Sequence, residues 1–255
     1  MTEQHRFSRM ELLVGDDSLQ KLHGSSLAVF GVGGVGSYAV EALVRAGVGR
    51  LTLVDFDDIC QTNCNRQLHA TSETIGRVKV EVMAERCRAI NPQVQVEPLQ
   101  AFYEADTSAE LLGRGYDYVL DCIDHITGKL HLIESCKRQD LPIISSMGAA
   151  NKLDPTKIKV ADLFHTEKCR LARIMRKELR RRGIHEGIKV VYSKEEFRPL
   201  NDKSTLIDNP NQEKPRQSRN ERRVTLGSSS YIPPLFGLTM AGEVIRELLD
   251  RDSER

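Results

Sequence analysis

The chain has 255 residues, of which 40% are hydrophobic and 29% charged, with a formal net charge of +1. This length is enough to bury a core, and the composition is typical of a soluble globular protein rather than a disordered one. No apolar run approaches the ~20 residues of a membrane span, and we expect no secretory segment at the N-terminus. The six cysteines form no C-x-x-C pair, which disfavours a four-thiolate zinc site and favours reduced thiols in the cytoplasm.

Near the N-terminus, two arginines precede a leucine-rich stretch. Arg6 and Arg9 are followed by Leu12, Leu13, Leu19 and Leu22, which recur at roughly helical spacing. The pattern predicts a surface helix, and solvated arginines are its simplest interpretation.

A glycine-rich turn follows the first strongly apolar run. Residues 27–30 predict a buried strand, residues 31–36 are Gly-Val-Gly-Gly-Val-Gly, and a helical pattern comes next. In such a layout Gly31 permits a tight turn, Gly33 lets the backbone approach a phosphate, and Gly36 lets the helix pack against the sheet. The free N–H groups and dipole of the helix N-terminus favour an anion. The spacing therefore indicates a nucleotide-binding βαβ unit.

The next apolar run, residues 51–54, ends at an acidic residue. Asp55 lies where a carboxylate can accept hydrogen bonds from ribose hydroxyls, which suits a dehydrogenase as well as an ATP enzyme. Arg66 and Lys79 favour the ATP enzyme, because backbone N–H groups can hold a dinucleotide's pyrophosphate, whereas a triphosphate requires cations and Mg²⁺. Asp124, after a further apolar run, is the candidate carboxylate for that metal.

Helical and strand patterns alternate through the first 150 residues. Helices are predicted over residues 76–90 and 127–138, and strands near residues 94–96, 116–120 and 141–145. This alternation predicts an α/β fold with a doubly wound, mainly parallel, Rossmann-like sheet. In such sheets ligands bind in the crevice at the carboxyl ends of the strands, which is where Asp124 follows its strand.

The remainder of the chain has the opposite charge. Residues 1–150 hold 14 Lys and Arg against 20 Asp and Glu, whereas residues 151–255 hold 23 against 16. Over residues 168–182, a segment with a helical apolar stripe carries eight cations and one acid. A solvated helix face normally mixes signs, so this excess favours contact with a phosphate backbone. The candidate contacts are Arg173, Arg176, Arg180 and Arg181 in this helix, and Lys214, Arg216 and Arg219 in a polar loop.

That loop belongs to a C-terminal extension. Strands are predicted over residues 158–163 and 188–192, a mobile polar loop over 193–223, and a closing helix after Pro233 and Pro234. We see no domain linker. The expected organisation is one domain over residues 1–255, with a nucleotide-binding half (1–150) and a basic, substrate-facing half (151–255).

The glycine turn and the residues after it resemble the ubiquitin-activating-enzyme-like (ThiF/MoeB/HesA-type) adenylating superfamily. Its GxGGxG, Asp-x-Asp and Asn-x-x-Arg-Gln elements match residues 31–36, 55–57 and 63–67. The resemblance implies that ATP is bound through two sets of residues. The backbone and ribose set is Gly31, Gly33, Gly34, Gly36, Asp55 and Asp57. The phosphate set is Asn63, Arg66, Gln67 and Lys79, with Asp124 holding Mg²⁺.

The resemblance also implies a homodimer. In this superfamily an Arg-Tyr-x-Arg element near the N-terminus reaches the triphosphate of the other subunit. Arg6 and Arg9 match its two arginines, and Phe7 replaces the tyrosine. Arg9 is therefore a candidate catalytic residue that acts across the dimer.

Within the superfamily, the chain is most similar to the tRNA threonylcarbamoyladenosine dehydratases. The similarity covers nearly the whole length and includes residues 63–70, 90–92 and 154–163. It implies ATP-dependent cyclisation of threonylcarbamoyladenosine next to the tRNA anticodon, through a carboxylate adenylate. It also implies tRNA as a partner, with a possible sulfur-transfer or redox accessory protein. Cys169 lies where thioester-forming relatives place a cysteine, but its basic surroundings favour a structural or incidental role.

Two alternatives remain open at the level of sequence. One is adenylation of the C-terminus of a ubiquitin-like sulfur carrier, although such relatives usually bind zinc through two C-x-x-C pairs that this chain lacks. The other is a nucleotide-binding regulatory module or NAD enzyme that keeps the fold without adenylation. Fold alone does not choose among them.

Overall fold

Seven strands form one sheet in the computed structural model, which describes residues 4–196 and 226–250. The strands are β1 (Ser26–Phe30), β2 (Arg50–Val54), β3 (Gln95–Leu99), β4 (Tyr118–Asp121), β5 (Ile143–Ser146), β6 (Ile158–Asp162) and β7 (Lys189–Ser193). Their order is β3-β2-β1-β4-β5-β7-β6, and only the β6–β7 pair is antiparallel. The doubly wound, mainly parallel sheet predicted from the sequence is confirmed.

Helices cover both faces of the sheet. They are α1 (Ser8–Val14), α2 (Asp16–Gly24), α3 (Gly36–Ala46), α4 (Lys79–Ile90), α5 (Ala105–Leu112), α6 (Ile126–Arg138), α7 (Arg170–Arg181) and α8 (Ile232–Asp250). One core cluster lies between the sheet and α3, α4 and α8, and the other between the sheet and α5, α6 and α7. Strands and helices from both halves of the chain enter the same sheet and the same two cores. In the part of the chain that the structure describes, no helix is long and apolar enough to cross a membrane.

Two predicted helices differ from those observed. The N-terminal pattern is two helices, because Gly15 between them has φ +84°, in the left-handed region that favours glycine. The helix predicted from residue 76 begins only at Lys79, since Gly76 has φ +86° and Val78 forms a β-bridge with Asp58. Lys79 is therefore the first residue of α4, where its backbone N–H faces the acidic tip after β2.

One observed helix is not among the predicted elements, and one predicted boundary differs from the observed one. Helix α5 buries only Ser108, Leu111 and Leu112, and this is too short a stripe to give a clear periodicity. The loop predicted from residue 193 starts later, because Ser193 is the last residue of β7. Nearly all of that loop, including Lys214, Arg216 and Arg219, lies outside the described residues.

Candidate nucleotide site

The glycine turn packs directly against the backbone of its neighbours. Gly31 has φ +89°, and a Cβ there would lie 2.7 Å from the carbonyl oxygen of Cys122. A Cβ on Gly36 would lie 1.9 Å from the carbonyl oxygen of Gly31. Both positions therefore require glycine. This packing seats the turn between β1 and α3 against the segment that follows β4.

Gly33 and Gly34 have different surroundings. A Cβ on Gly33 would meet only the Gln67 amide, at an ordinary 3.7 Å. The protein itself thus leaves space at Gly33, as a bound phosphate would require. A Cβ on Gly34 would lie 3.0 Å from Pro233 and 3.2 Å from Arg66. The start of α8 therefore supports the glycine turn, a contact that the sequence analysis did not anticipate.

Asp55 holds the glycine turn in place. Its Oδ2 accepts the N–H of Val32 at 2.6 Å, and its Oδ1 accepts the N–H of Asp57 at 2.9 Å. Burial raises the pKa of this carboxyl, while the charge of Lys79 and the two backbone hydrogen bonds oppose the rise. Each oxygen retains a further lone pair, so the predicted contact with ribose is compatible with these hydrogen bonds.

Lys79 joins the two carboxylates of the acidic tip. Only 4% of Lys79 is exposed, and its Nζ lies 2.7 Å from the carboxylate of Asp57 and 3.9 Å from that of Asp55. A buried ammonium beside two carboxylates is already paired. An incoming phosphate must therefore compete with Asp57, whose side chain is 47% exposed, for the lysine.

The segment after the acidic tip places Asn63, Arg66 and Gln67 next to one another. Asn63 is buried, and its Oδ1 accepts the N–H of Cys60 at 3.1 Å. The Arg66 guanidinium donates to the Thr62 carbonyl and to Asn65 Oδ1, both at 2.9 Å. Within residues 4–196 and 226–250, no carboxylate forms an ion pair with Arg66, so its charge is available to an anion.

Gln67 and His69 are buried with unused polar atoms. Gln67 Oε1 and both ring nitrogens of His69 have no hydrogen-bond partner in the described part of the chain. Burial, and next the charge of Lys79, lower the pKa of His69 to about 4, which makes the imidazole neutral at pH 7. A buried acceptor such as Gln67 Oε1, beside the glycine turn, suits a donor on a ligand. His69 is not among the site residues predicted from the sequence. Its position between two apolar residues is the one feature of the sequence that indicates burial.

Asp124 is exposed at the end of the segment that contacts Gly31. No group of three or more His, Cys, Asp or Glu side chains among the described residues could hold a metal ion by itself. Mg²⁺ at nucleotide sites commonly takes one or two carboxylates together with phosphate oxygens and water. The solvent-facing carboxylate of Asp124 fits a metal that is shared with a bound triphosphate.

The N-terminal arginines point to different surroundings. The Arg6 guanidinium donates to the carbonyl of Ile90 and is thereby attached to its own chain. Arg9 is exposed on α1, a helix with no buried residue, beside Leu12 and Leu13, which are 80% and 79% exposed. Helix α1 thus presents a cation together with an apolar surface.

The four arginines of α7 that were predicted to contact phosphate are not equivalent. Arg173 is exposed. Arg176 donates to the carbonyl of Thr166 at 2.8 Å and is therefore held by its own chain. Arg180 lies 5.3 Å over the Phe164 ring, and Arg181 forms an ion pair with Glu178 at 2.8 Å. Of these four candidate arginines, three are exposed: Arg173, Arg180 and Arg181.

The basic helix begins at the same edge of the sheet as the nucleotide site. Leu171, in its first turn, would contact a Cβ on Gly148 at 3.8 Å, and Gly148 follows β5 by two residues. The carboxyl ends of the parallel strands and the start of α7 are therefore neighbours.

A family model and a curated relative match nearly the whole chain. A model of the ThiF family matches residues 7–255. A tRNA threonylcarbamoyladenosine dehydratase from Bacillus subtilis (strain 168) is 42% identical over 247 residues, covering 96% of this chain and 95% of that protein. A molybdopterin-synthase adenylyltransferase from Salmonella typhimurium is 34% identical over only 154 residues, 60% of this chain and 61% of that protein.

Solved structures agree with this match. The tRNA N6-threonylcarbamoyladenosine dehydratase of Escherichia coli in complex with AMP superposes with a TM-score of 0.86 at 33% identity, covering 98% of this chain and 96% of that one. The same enzyme in complex with ATP gives a TM-score of 0.85. The chain belongs to the ThiF family, and within that family it is similar over nearly its whole length to tRNA threonylcarbamoyladenosine dehydratases.

Proposed function

We propose that the protein uses ATP to dehydrate the threonylcarbamoyladenosine next to the tRNA anticodon, closing a ring through a carboxylate adenylate. The observation that carries this proposal is the 42% identity to a dehydratase of that name, which spans the nucleotide half and the basic half alike. The E. coli dehydratase has been solved with ATP and with AMP, the nucleotide that adenylation consumes and the nucleotide that ring closure would release.

The chemistry explains why ATP is required. A carboxylate is a poor electrophile because its leaving group would be oxide or hydroxide. Attack of the threonyl carboxylate on the α-phosphate releases pyrophosphate and makes an acyl adenylate, whose leaving group is AMP. The ureido nitrogen of the same nucleoside then attacks the acyl carbon, loses its proton and expels AMP. Ring closure is intramolecular, with effective molarities of ~10⁵ M or more, so the reaction needs no covalent enzyme nucleophile.

The enzyme's task is then to neutralise and position the triphosphate. The N–H groups of the glycine turn and the start of α3 face the phosphates, and Arg66 and Lys79 supply cations. Lys79 transfers its pairing from Asp57 to a phosphate when ATP binds. Asp124 holds Mg²⁺, which supplies further charge neutralisation at the phosphates.

The tRNA and a second copy of the chain complete the proposed assembly. The exposed arginines of α7 bind the tRNA backbone, with the segment that contains Lys214, Arg216 and Arg219 as a further contact. Helix α1 packs on a partner subunit, which buries Leu12 and Leu13 and brings Arg9 to the partner's nucleotide. A tRNA substrate and six unpaired cysteines fit a cytoplasmic location.

A pyrophosphate-exchange assay tests the proposal and its main alternative. We expect exchange of pyrophosphate into ATP to require tRNA that carries threonylcarbamoyladenosine, and unmodified tRNA to serve as the negative control. Exchange that requires a small protein with a free C-terminus instead would favour sulfur-carrier adenylation. The match to the adenylyltransferase covers less of the chain and makes this the second candidate.

A further inference from the structure

A charged network lies beneath the nucleotide site, fully buried. Lys129 of α6 and Asp121, the last residue of β4, are both 0% exposed, and Lys129 Nζ lies 2.8 Å from Asp121 Oδ2. The Ser145 hydroxyl, in β5, donates to the same oxygen at 2.6 Å and accepts from Lys129 at 3.2 Å. None of these side chains is reached by solvent or has a role in the reaction proposed above.

Stability alone does not explain this network. Desolvation of two charges cancels much of their attraction, and replacing a buried ion pair by apolar residues of similar volume is often neutral or stabilising. A buried pair does fix the geometry of its members, because either charge would be costly without the other. The relevant question is therefore what the second oxygen of Asp121 contacts.

That oxygen holds the segment that carries Asp124. Asp121 Oδ1 accepts the N–H of Ile123 at 3.2 Å. The same segment passes so close to the glycine turn that a Cβ on Gly31 would lie 2.7 Å from the Cys122 carbonyl. Residues 122–124 are thus fixed on one side by the carboxylate and on the other by the glycine turn.

We propose that Lys129 and Ser145 position Asp124 by fixing the Asp121 carboxylate, so that Asp121 Oδ1 holds the 122–124 turn against the glycine turn. The inference rests on the proposed function of Asp124 as the Mg²⁺ ligand. Lys129 and Asp121 touch neither substrate nor metal. They are positioning residues that act through the backbone of the turn.

Two neutral double variants isolate the acceptor at position 121. Lys129→Met/Asp121→Asn and Lys129→Met/Asp121→Leu both remove the two charges, so neither leaves an unpaired buried ion. Asn keeps an oxygen for the Ile123 N–H and a partner for Ser145, whereas Leu has nearly the same branched shape without an acceptor. Two quantities are measured: amide hydrogen exchange of the 122–124 peptide, and the Mg²⁺ midpoint of ATP binding by calorimetry.

We expect the Leu variant to exchange the turn amides about tenfold faster and to raise the Mg²⁺ midpoint several-fold, as for loss of one buried hydrogen bond. The Asn variant should stay within about threefold of wild type in both. Equal exchange and equal midpoints in the two variants would overturn the proposal, even if both melt at lower temperature.

A third variant keeps the test decisive if the doubles do not fold. Ser145→Ala removes one hydrogen bond to Asp121 and no charge, and we expect faster exchange at 122–124 and a raised Mg²⁺ midpoint. Wild-type values of both would again overturn the proposal. If the wild type binds no ATP with Mg²⁺, the proposed function fails, while the exchange measurement still decides whether the network holds the turn.

Discussion

At the scale of single residues, the lysine of the nucleotide site is already paired with carboxylates before ATP arrives. The burial of Lys79 against Asp55 and Asp57 means that this lysine supports the fold as well as the phosphates. Lys79→Ala would leave the buried Asp55 without its nearby cation. It should therefore lower stability as well as activity.

Arg66 allows a cleaner test of phosphate binding. Arg66→Ala removes a half-buried guanidinium whose contacts are to one carbonyl and one amide oxygen. Losing a charge-assisted contact that strengthens in the transition state costs ~2.7–4 kcal/mol, so tRNA-dependent pyrophosphate exchange should fall 10²–10³-fold. Arg77→Ala, at an exposed arginine paired with Glu85, is the matched control and should retain exchange. A folded Arg66→Ala protein with near-normal exchange would contradict the assigned role.

His69 makes stability depend on pH. Its pKa is lowered to about 4 in the folded protein, mainly by burial, whereas an unfolded histidine titrates near 6.5. Between these values the unfolded chain binds a proton that the folded chain does not, so stability falls as the pH falls from 6.5 towards 4. The full loss from this group is ~3 kcal/mol.

Urea unfolding of His69→Leu at pH 7.5 and pH 4.5 measures this contribution. The variant should lose about 2–3 kcal/mol less than wild type between the two pH values. His185→Asn, at an exposed histidine, should behave as wild type. An unchanged pH dependence in His69→Leu would mean that the ring is not a desolvated titrating group.

At the scale of elements, the sequence predicted what periodicity and glycine spacing encode. The βαβ unit around Gly31, the mainly parallel sheet and the amphipathic helix α7 follow from local patterns. Three features do not. The break at Gly15 depends on a backbone angle, and α5 has only three buried residues to reveal it. The burial of Lys129 depends on its pairing with a carboxylate eight residues earlier in the chain. A charged residue in a helical pattern gives no sign of facing a buried carboxylate.

The structure also refines the basic surface of α7. Because Arg176 is held by Thr166, the exposed arginines Arg173 and Arg180 are the better candidates for phosphate contact. Reversing both to Glu should weaken tRNA binding and flatten the log–log salt dependence by roughly 1.4–1.8, the value for two lost contacts. ATP affinity should remain close to wild type.

Two controls separate binding from folding in that experiment. Arg246→Glu reverses an exposed arginine on α8, which packs on the opposite face of the sheet, and should leave the salt slope unchanged. Arg176→Met should lower the melting temperature with little effect on the slope, because it removes hydrogen bonds within the chain. If Arg173→Glu/Arg180→Glu also loses only stability, α7 is not the tRNA surface.

At the scale of the whole molecule, one sheet joins the two oppositely charged halves. Strand β7, from the basic half, pairs with β5 of the acidic half, and α8 packs on α3 beside the glycine turn. A substrate bound by the basic half is therefore held by a rigid connection to the nucleotide. By contrast, α1 has a large exposed apolar surface, since Leu12 and Leu13 contact little of their own chain. A second copy of the chain would bury this apolar surface of α1.

Mixing of inactive subunits tests the proposed dimer and the role of Arg9 together. Arg9→Ala and Arg66→Ala should each be nearly inactive alone, since each removes one cation from every site. In a heterodimer of the two, one site combines an intact Arg66 with an Arg9 donated by the partner, while the other site lacks both. Statistical exchange in an equal mixture makes half of the dimers heterodimers, so activity should recover to about a quarter of wild type.

Light scattering first establishes that the species is a dimer, and Arg9→Ala mixed with the double variant Arg9→Ala/Arg66→Ala should recover nothing. A dimeric, subunit-exchanged mixture of the two single variants that stays inactive would show that Arg9 serves its own subunit or has no role in the reaction.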